Sequence, residues 1–164
     1  MDRADIAAHI PRLRRYARAL TGDRDRAEDL VQDTLERALG KFHLWRHGSD
    51  LRAWLFAIMH NVFINQLKAR RELALDDAVE AGLESAPQAD MLEVRDLDSA
   101  LRRLPHEQRE VVLLVGLEQF SYAEAAKALG IPIGTVMSRL SRGRERLRSL
   151  MLESAAVTNL KVVK

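Results

Sequence analysis

Residues 120–148 read FSYAEAAKALGIPIGTVMSRLSRGRERLR and decide the fold of the second half of this chain. Ser121 can cap a helix, and Glu124 three residues later can return the bond, which makes a capping box. Gly130 supplies the left-handed residue that ends such a helix. A second helix then starts near residues 133–135, and its inward positions at helical spacing are Val136, Leu140 and Leu147. The stretch therefore predicts two short helices joined by a tight turn, a helix-turn-helix.

Positive charge is concentrated in the second of these helices. Residues 131–150 contain five arginines and one glutamate, although the net charge of the 164 residues is only +2. Residues 73–93 hold six acidic and no basic residues, so they separate two basic blocks. Because the second helix of a helix-turn-helix normally enters the DNA major groove, the local excess of arginine indicates a DNA-binding surface.

The composition argues against several other classes of protein. The chain has no cysteine, which rules out disulfides and thiolate metal sites. Its N-terminal residues lack the long apolar run of a secretory signal. No segment approaches the roughly 18–20 apolar residues of a membrane span. We therefore expect a cytoplasmic protein with no membrane insertion.

Motifs of catalysis are missing from the sequence. His43 and His47 are four residues apart, as in a helical metal pair, but no third ligand lies in an obvious motif. No Gly-rich phosphate loop, His-Glu-x-x-His motif or Ser-His-Asp order occurs. We expect no enzymatic activity, no metal and no cofactor.

Helical periodicity covers the first half, residues 1–72. It predicts one helix over residues 6–20, a second that begins at Asp25 with Glu28 at the capping-box position, and a third over residues 51–71. The connection over residues 40–50 carries three apolar side chains that we expect to be packed: Phe42, Leu44 and Trp45.

The pattern after residue 72 predicts a flexible acidic linker over residues 73–91, long enough to span roughly 60–70 Å. Residues 92–152 follow as a four-helix domain with the helix-turn-helix, in which Pro105 opens a helix that ends near Gly116. Residues 153–164 form a tail without a clear pattern. The fold class is therefore all-α, with two small helical domains joined by the linker.

Four segments, taken in order, resemble bacterial RNA polymerase sigma factors. They are AEDLVQDT (27–34), DLRAWLFAIMHN (50–61), LPHEQREV (104–111) and SYAEAAKALGIPIGTVMSRL (121–140). More narrowly, the chain resembles the extracytoplasmic-function (ECF) group, which keeps only sigma regions 2 and 4. The resemblance implies an alternative sigma factor that binds core RNA polymerase and directs promoter-specific initiation, with residues 1–72 as region 2 and residues 92–152 as region 4.

The resemblance also implies the protein partners. The first domain would dock on the clamp helices of the largest polymerase subunit, the second would meet the flap, and an anti-sigma protein would hold the factor inactive. Region 2 would bind the clamp through an acidic helix face that consists of Asp29, Gln32, Asp33 and Glu36. On spacing alone, such a face is more often the solvated side of an amphipathic helix than a binding surface.

Promoter DNA is the remaining partner that the resemblance implies. The helix over residues 51–71 matches the region that recognises and melts the −10 element, where amides and cations would catch single-stranded DNA. Its candidates are His60, Asn61, Asn65, Lys68, Arg70 and Arg71. Many relatives carry an acidic residue where this chain has Asn65. We expect Trp54 in the core rather than stacked on a base.

The second helix of the helix-turn-helix would bind the −35 element. Its candidates are Gly134, Thr135, Met137, Ser138, Arg139, Ser141, Arg142 and Arg146. Arginine can bind guanine edges or neutralise phosphate. Met137 stands where many relatives have lysine; it could contact a thymine methyl or lie partly buried.

Two other functions fit parts of the sequence. The chain could be a helix-turn-helix regulator that acts without polymerase, although no receiver or ligand-binding domain is visible in its first half. It could also be a sigma-like decoy that binds an anti-sigma protein and never contacts DNA. The basic ends of both candidate DNA helices argue against a decoy.

Overall fold

Residues 3–46, 48–76 and 92–162 are described by the computed structural model, and the regular structure within these ranges is helical. This confirms the all-α prediction. The first half contains α1 (Arg3–Ala7), α2 (Ile10–Thr21), α3 (Arg24–Gly40), a 3₁₀ turn (Phe42–Leu44) and α4 (Leu51–Asp76). The second half contains α5 (Leu92–Arg102), α6 (His106–Gly116), α7 (Tyr122–Leu129) and α8 (Ile133–Val162).

The helix-turn-helix has the predicted local chemistry. The Glu124 amide donates to Ser121 Oγ and the Ser121 amide donates to Glu124 Oε1, both at 3.0 Å. Gly130 ends α7 in the left-handed region with φ 67°, where a side chain would strain the backbone. Val136 and Leu140 are buried and Leu147 is partly buried, so α8 packs with the predicted face.

Helix boundaries in the first half differ from the predicted ones. The helix expected over residues 6–20 is interrupted after Ala7, since Pro11 in the first turn of α2 disfavours a continuous helix through the preceding residues. Asp23, and not Asp25, caps α3: it is extended and its Oδ1 accepts from the Asp25 amide at 2.8 Å. Gly22 ends α2 in the left-handed region with φ 70°. The next residue, Asp23, is then in position to cap α3.

Three further boundaries are corrected. Residues 73–76, assigned to the linker from the sequence, belong to α4, and residues 77–91 lie outside the described residues. Pro105 is the N-cap of α6 rather than its first residue. The predicted tail continues α8 as far as Val162.

Packing of the 3₁₀ turn follows the prediction in part. Trp45 is buried and Phe42 is partly buried against the core. Leu44, which we expected to pack, is 65% exposed because the turn directs it to solvent. Trp54 packs partly buried against the core, as expected.

The core runs through both halves. In the first half, α3 lies between α2 and α4; in the second, α8 packs on α5, α6 and α7. The halves then meet where α2 contacts α5 and α6 and where α4 contacts α7. No helix in the described ranges is long and apolar enough to cross a membrane.

Candidate nucleic-acid and protein-binding surfaces

An acidic face runs along α3. Asp29, Gln32 and Glu36 are exposed; Asp33 is partly buried, and its Oδ2 accepts from Gln66 Nε2 of α4 at 2.9 Å. The positions recur at i, i+3, i+4 and i+7, so they share one side of the helix. Glu28 lies at the edge of this side and pairs with Arg14 of α2 at 2.9 Å. The face therefore offers a row of carboxylates and an amide to a partner.

A polar row follows α4 at helical spacing. Asn61, Asn65 and Lys68 are exposed at i, i+4 and i+7, which puts two amides and a cation on one side of the helix. Arg70 and Arg71 are also exposed but fall outside this row. The structure therefore brings together three of the six residues predicted for this helix.

His60 lies elsewhere. Its side chain is 19% exposed, and its Nδ1 lies 2.8 Å from Glu110 Oε1 of α6. Glu110 is itself buried. In this conformation His60 contacts the second half of the chain rather than an open surface.

Polar and cationic side chains cover the exposed arc of α8. Ser138 Oγ donates to the Thr135 carbonyl at 3.2 Å, and Arg139 is half-buried. Most of the residues predicted to bind the −35 element lie in the first three turns of α8, and none of them is buried. The exposed members of the set are Gly134, Met137, Ser138, Ser141, Arg142 and Arg146.

A groove of about 340 Å³ runs along one edge of this arc. Tyr122 of α7 and Met137 line it, and they are 39% and 51% exposed. The exposure of Met137 excludes the partly buried alternative. The sequence reasoning did not select Tyr122, although an aromatic residue in the first turn of α7 is a visible signal. Two arginines also line the groove, Arg144 and Arg148.

Gly143 positions α8 against the rest of its domain. A methyl group in place of its hydrogen would lie 2.8 Å from Val112 Cγ2 and 3.3 Å from Gln108 Cβ. Such distances are shorter than ordinary carbon contacts. The missing side chain therefore lets α6 approach α8 closely.

Aromatic rings connect the two halves. Tyr16 of α2 packs edge-on against Phe56 of α4 at 5.1 Å between centroids, and Phe56 packs edge-on against Phe120 at 5.2 Å. The guanidinium of Arg52 lies 4.4 Å from the centre of the Phe120 ring, a cation–π distance. Arg52 also donates to the Glu118 carbonyl and to Glu124 Oε2, each at 3.1 Å.

Two buried glutamates complete this junction. The Glu118 side chain has no exposed area, and its Oε1 accepts from Arg15 of α2 at 3.1 Å. Glu118 Oε2 has no hydrogen-bond partner among the described residues. Burial, together with Glu110 and Glu118, raises the pKa of Tyr16 well above its ordinary value. Sequence reasoning missed these groups, since a lone glutamate beside an apolar run resembles any surface residue.

Arg109 links the C-terminal ends of α2 and α5 at the contact between the two halves. Its guanidinium donates to the carbonyls of Leu20, Leu101, Arg102 and Leu104 at 2.7–2.9 Å. It therefore satisfies C-terminal carbonyls of α2 and α5 at once. At Gly22, where α2 ends, a methyl group would lie 2.4 Å from Arg102 Nε, so a side chain there would require Arg102 to move.

Metal-ligand geometry does not occur within the described ranges, where no three histidine, aspartate or glutamate residues cluster to hold an ion. Of the two histidines considered from the sequence, His43 lies in the 3₁₀ turn and His47 lies outside the described residues.

Comparison with known proteins gives two family matches, one in each half. Residues 6–60 match the family described as the Sigma2 domain of PhyR, and residues 95–147 match Sigma-70, region 4. The chain is 43% identical over 157 residues to the ECF RNA polymerase sigma factor EcfG of Rhodopseudomonas palustris, covering 94% of this chain and 87% of that protein.

Two solved structures share the arrangement of helices. The sigma factor RpoE from Bartonella quintana, solved with the anti-sigma factor NepR, is 39% identical with a TM-score of 0.79, over 91% of this chain and 95% of that one. CnrH, solved with the cytosolic domain of CnrY, is 28% identical with a TM-score of 0.67, over 89% of this chain and 84% of that one.

Proposed function

The chain belongs to the ECF RNA polymerase sigma factors, and from this premise we propose how its surfaces divide the work of transcription initiation. As a sigma factor it binds core RNA polymerase and directs initiation at specific promoters. One observation carries the division of work: a region 2 match and a region 4 match occupy separate halves, and each half presents its own exposed polar face. The role is one of binding and positioning, without bond chemistry, in the cytoplasm where the polymerase works.

The acidic face of α3 is the polymerase contact in this proposal. Asp29, Gln32 and Glu36 are free to meet a basic partner helix, and Asp33 is held in place by Gln66. Charge complementarity of this kind sets partner choice and association rate. The clamp helices of the largest polymerase subunit are the proposed partner, and the flap is the proposed partner of the second half.

The row on α4 is the −10 surface. Asn61 and Asn65 supply amides that can bind unpaired bases, and Lys68 supplies a cation for the backbone. Arg70 and Arg71 continue the positive charge towards the end of the helix, where they would neutralise phosphates. His60 joins this surface only if the contact with Glu110 opens.

The arc on α8 is the −35 surface. Arg139 and Arg142 lie within the first three turns, where a recognition helix reaches base edges. Met137 and Tyr122 add an apolar edge that suits a thymine methyl. Arg146 lies further along the helix, where phosphate contact is the expected role. The arc is therefore the surface on which promoter preference depends.

An anti-sigma protein is the proposed regulator. The sigma factor RpoE was solved with NepR and CnrH with CnrY. Their similarity to this chain over most of its length supports the same type of control here. The bound anti-sigma protein would keep the factor from polymerase until its signal arrives.

Binding to core polymerase tests the α3 assignment. Asp29→Ala with Glu36→Ala should weaken the affinity for core polymerase at least tenfold in a fluorescence titration, since both carboxylates are exposed on the proposed contact face. The matched control is Glu145→Ala with Glu153→Ala, which removes two exposed carboxylates from α8. Equal affinities for the two double variants would contradict the assignment.

A decoy or a polymerase-independent regulator would behave differently in the same titration. Both alternatives predict no measurable affinity of the wild-type chain for core polymerase. A regulator would still bind promoter duplex through α8, and a decoy would bind neither the polymerase nor DNA.

A further inference from the structure

The amide side chain of Gln66 joins α4 to the acidic face of α3. Its Nε2 donates to Asp33 Oδ2 at 2.9 Å, and both side chains are partly buried. The two residues are 33 positions apart, so this hydrogen bond exists because α4 packs against α3. Asp33 is the partly buried member of the acidic face, and the other three members are exposed. The bond therefore acts on one particular carboxylate of the face.

Gln66 lies at the edge of the buried side of α4. Val62 and Phe63, four and three residues earlier, are both buried, so the three positions are neighbours on the helix surface. Asn65, one residue earlier, is exposed and belongs to the row proposed for the −10 element. Consecutive side chains of a helix differ in direction by about 100°. The same turn of α4 therefore offers one amide to the proposed DNA surface and another to the face of α3.

An uncharged donor suits a carboxylate that has to keep its charge. A lysine or arginine at residue 66 could pair with Asp33 and cancel the negative charge that a basic partner would meet. The Gln66 amide restrains the carboxylate and leaves the charge in place. A carboxylate has about four acceptor positions, so Asp33 can still accept from a partner while it accepts from Gln66.

Restraining Asp33 in the free chain lowers the cost of binding. A side chain that becomes ordered only at an interface loses rotamer freedom, and this loss reduces the affinity. Hydrogen bonds to an ionised acceptor are stronger than those between neutral groups, so the amide can hold the carboxylate in one orientation. The partner then meets a carboxylate that is already ordered.

We propose that Gln66 is a positioning residue of the polymerase contact: its amide holds the Asp33 carboxylate ready for a cationic side chain of core polymerase without neutralising it. Gln66 acts through Asp33 and does not itself contact the polymerase. In this way α4 contributes to polymerase binding as well as to promoter opening. The proposal rests on the proposed function of the α3 face.

A cycle of single and double variants, measured as affinity for core polymerase, tests this role. Gln66→Met removes the donor and keeps a side chain of similar length, whereas Asp33→Ala removes the acceptor. A third protein carries both changes. Each full-length chain is titrated against fluorescently labelled core polymerase. Gln119→Met is the matched control, because it makes the same substitution at an exposed residue of the second half.

Gln66→Met should weaken the affinity about three- to tenfold, the effect of leaving one more side chain to be ordered on binding. Asp33→Ala should weaken it at least as much. The double variant should bind no more weakly than Asp33→Ala, because Gln66 has nothing left to position. The salt dependence of the affinity should be unchanged in Gln66→Met, which removes no charge, and smaller in Asp33→Ala. Gln119→Met should bind like wild type.

Wild-type affinity in Gln66→Met would overturn the proposal. Additive losses in the double variant would also overturn it, since Gln66 would then contact the polymerase on its own. Thermal unfolding followed by circular dichroism is measured for each protein. A loss of affinity in Gln66→Met that disappears at a temperature where the variant is fully folded would show a purely structural role and would contradict the proposal.

Failure of the α3 assignment gives a different result. In that case Asp33→Ala and the double variant Asp29→Ala/Glu36→Ala both bind core polymerase like wild type. If those proteins bind weakly and Gln66→Met binds like wild type, the α3 face remains the polymerase contact and only the role of Gln66 is wrong.

Discussion

Gly143 shows how much a single absent side chain contributes to the helix-turn-helix. Val112 and Gln108 of α6 occupy the space that a Cβ atom would need. Glycine normally weakens a helix interior, so its place here is explained by helix packing rather than by backbone conformation.

Gly143→Ala should lower the free energy of unfolding by about 1–3 kcal/mol, the usual cost of overpacking. Thermal or urea unfolding measures the change. Gly134→Ala is the matched control on the same helix, since a methyl group there would meet no described atom within 4 Å and the stability should be unchanged or raised. A Gly143→Ala protein as stable as the wild type would contradict the close approach of α6 and α8.

Met137 stands where many relatives carry lysine. The promoter preference of this chain should therefore differ from theirs at the contact that this residue makes. Its side chain is half exposed beside Tyr122, at the edge of the −35 arc. Met137→Lys should strengthen duplex binding without regard to sequence and make the plot of log affinity against log salt steeper by about one.

Ser149→Lys adds the same charge to an exposed position of α8 outside the proposed DNA surface and serves as the control. Binding to a duplex library over a range of salt concentrations measures both effects. The same salt dependence for the two lysine variants would argue against Met137 lying at DNA.

Among the elements, α7 and α8 were predictable because their ends are encoded locally. Ser121, Glu124 and Gly130 each act on neighbours within three or four residues. The start of α3 was misjudged for the same kind of reason: Asp23 and Asp25 are both good caps, and the left-handed Gly22 decides between them. The end of α8 was missed because its last turns lack a strong apolar pattern.

Ser121→Ala should destabilise the second half by about 1 kcal/mol, because it removes the acceptor for the Glu124 amide. Chemical unfolding, monitored through the helix content, measures this loss. Ser141→Ala, an exposed serine within α8, is the control and should have little effect. A similar loss in both variants would count against the capping box.

The capping box also predicts an acid dependence. Hydrogen bonds from Ser121, and then the nearby Arg52 guanidinium, lower the pKa of Glu124 below its ordinary 4.5. The contribution of the carboxylate is therefore present above pH 4.5 and is lost as the pH falls through the lowered pKa. Glu124→Gln should flatten this part of the stability profile, and an unchanged profile would contradict the assignment.

At the scale of the whole molecule, the order of the two domains and the helical fold could be predicted from the sequence. The contact between the two halves could not, since it depends on residues that are 103 positions apart for Arg15 and Glu118 and 66 for Arg52 and Glu118. Periodicity identifies an apolar face but does not say which surface covers it. The same limit applies to His60, which the family resemblance placed at DNA and the structure places against Glu110.

Tyr16 should make the stability of the folded chain fall at alkaline pH. Burial and the two glutamates raise its pKa above 10.0, so the folded form keeps its phenol protonated where the unfolded chain loses the proton. Stability is therefore unaffected below pH 10 and falls as the pH rises above it. Tyr16→Phe should reduce this fall, whereas Tyr122→Phe, at an exposed ring, should not. Equal alkaline profiles for the two variants in thermal unfolding would contradict the burial of Tyr16.

Run-off transcription with purified core RNA polymerase and a pool of genomic promoter fragments tests the central claim most directly. The wild-type chain should give specific transcripts. Arg139→Ala with Arg142→Ala should reduce them through loss of duplex binding at the −35 element, and Asn61→Ala with Asn65→Ala through loss of promoter opening at retained duplex affinity. The absence of any specific transcript with the wild-type chain would contradict the assignment of this protein as a working sigma factor.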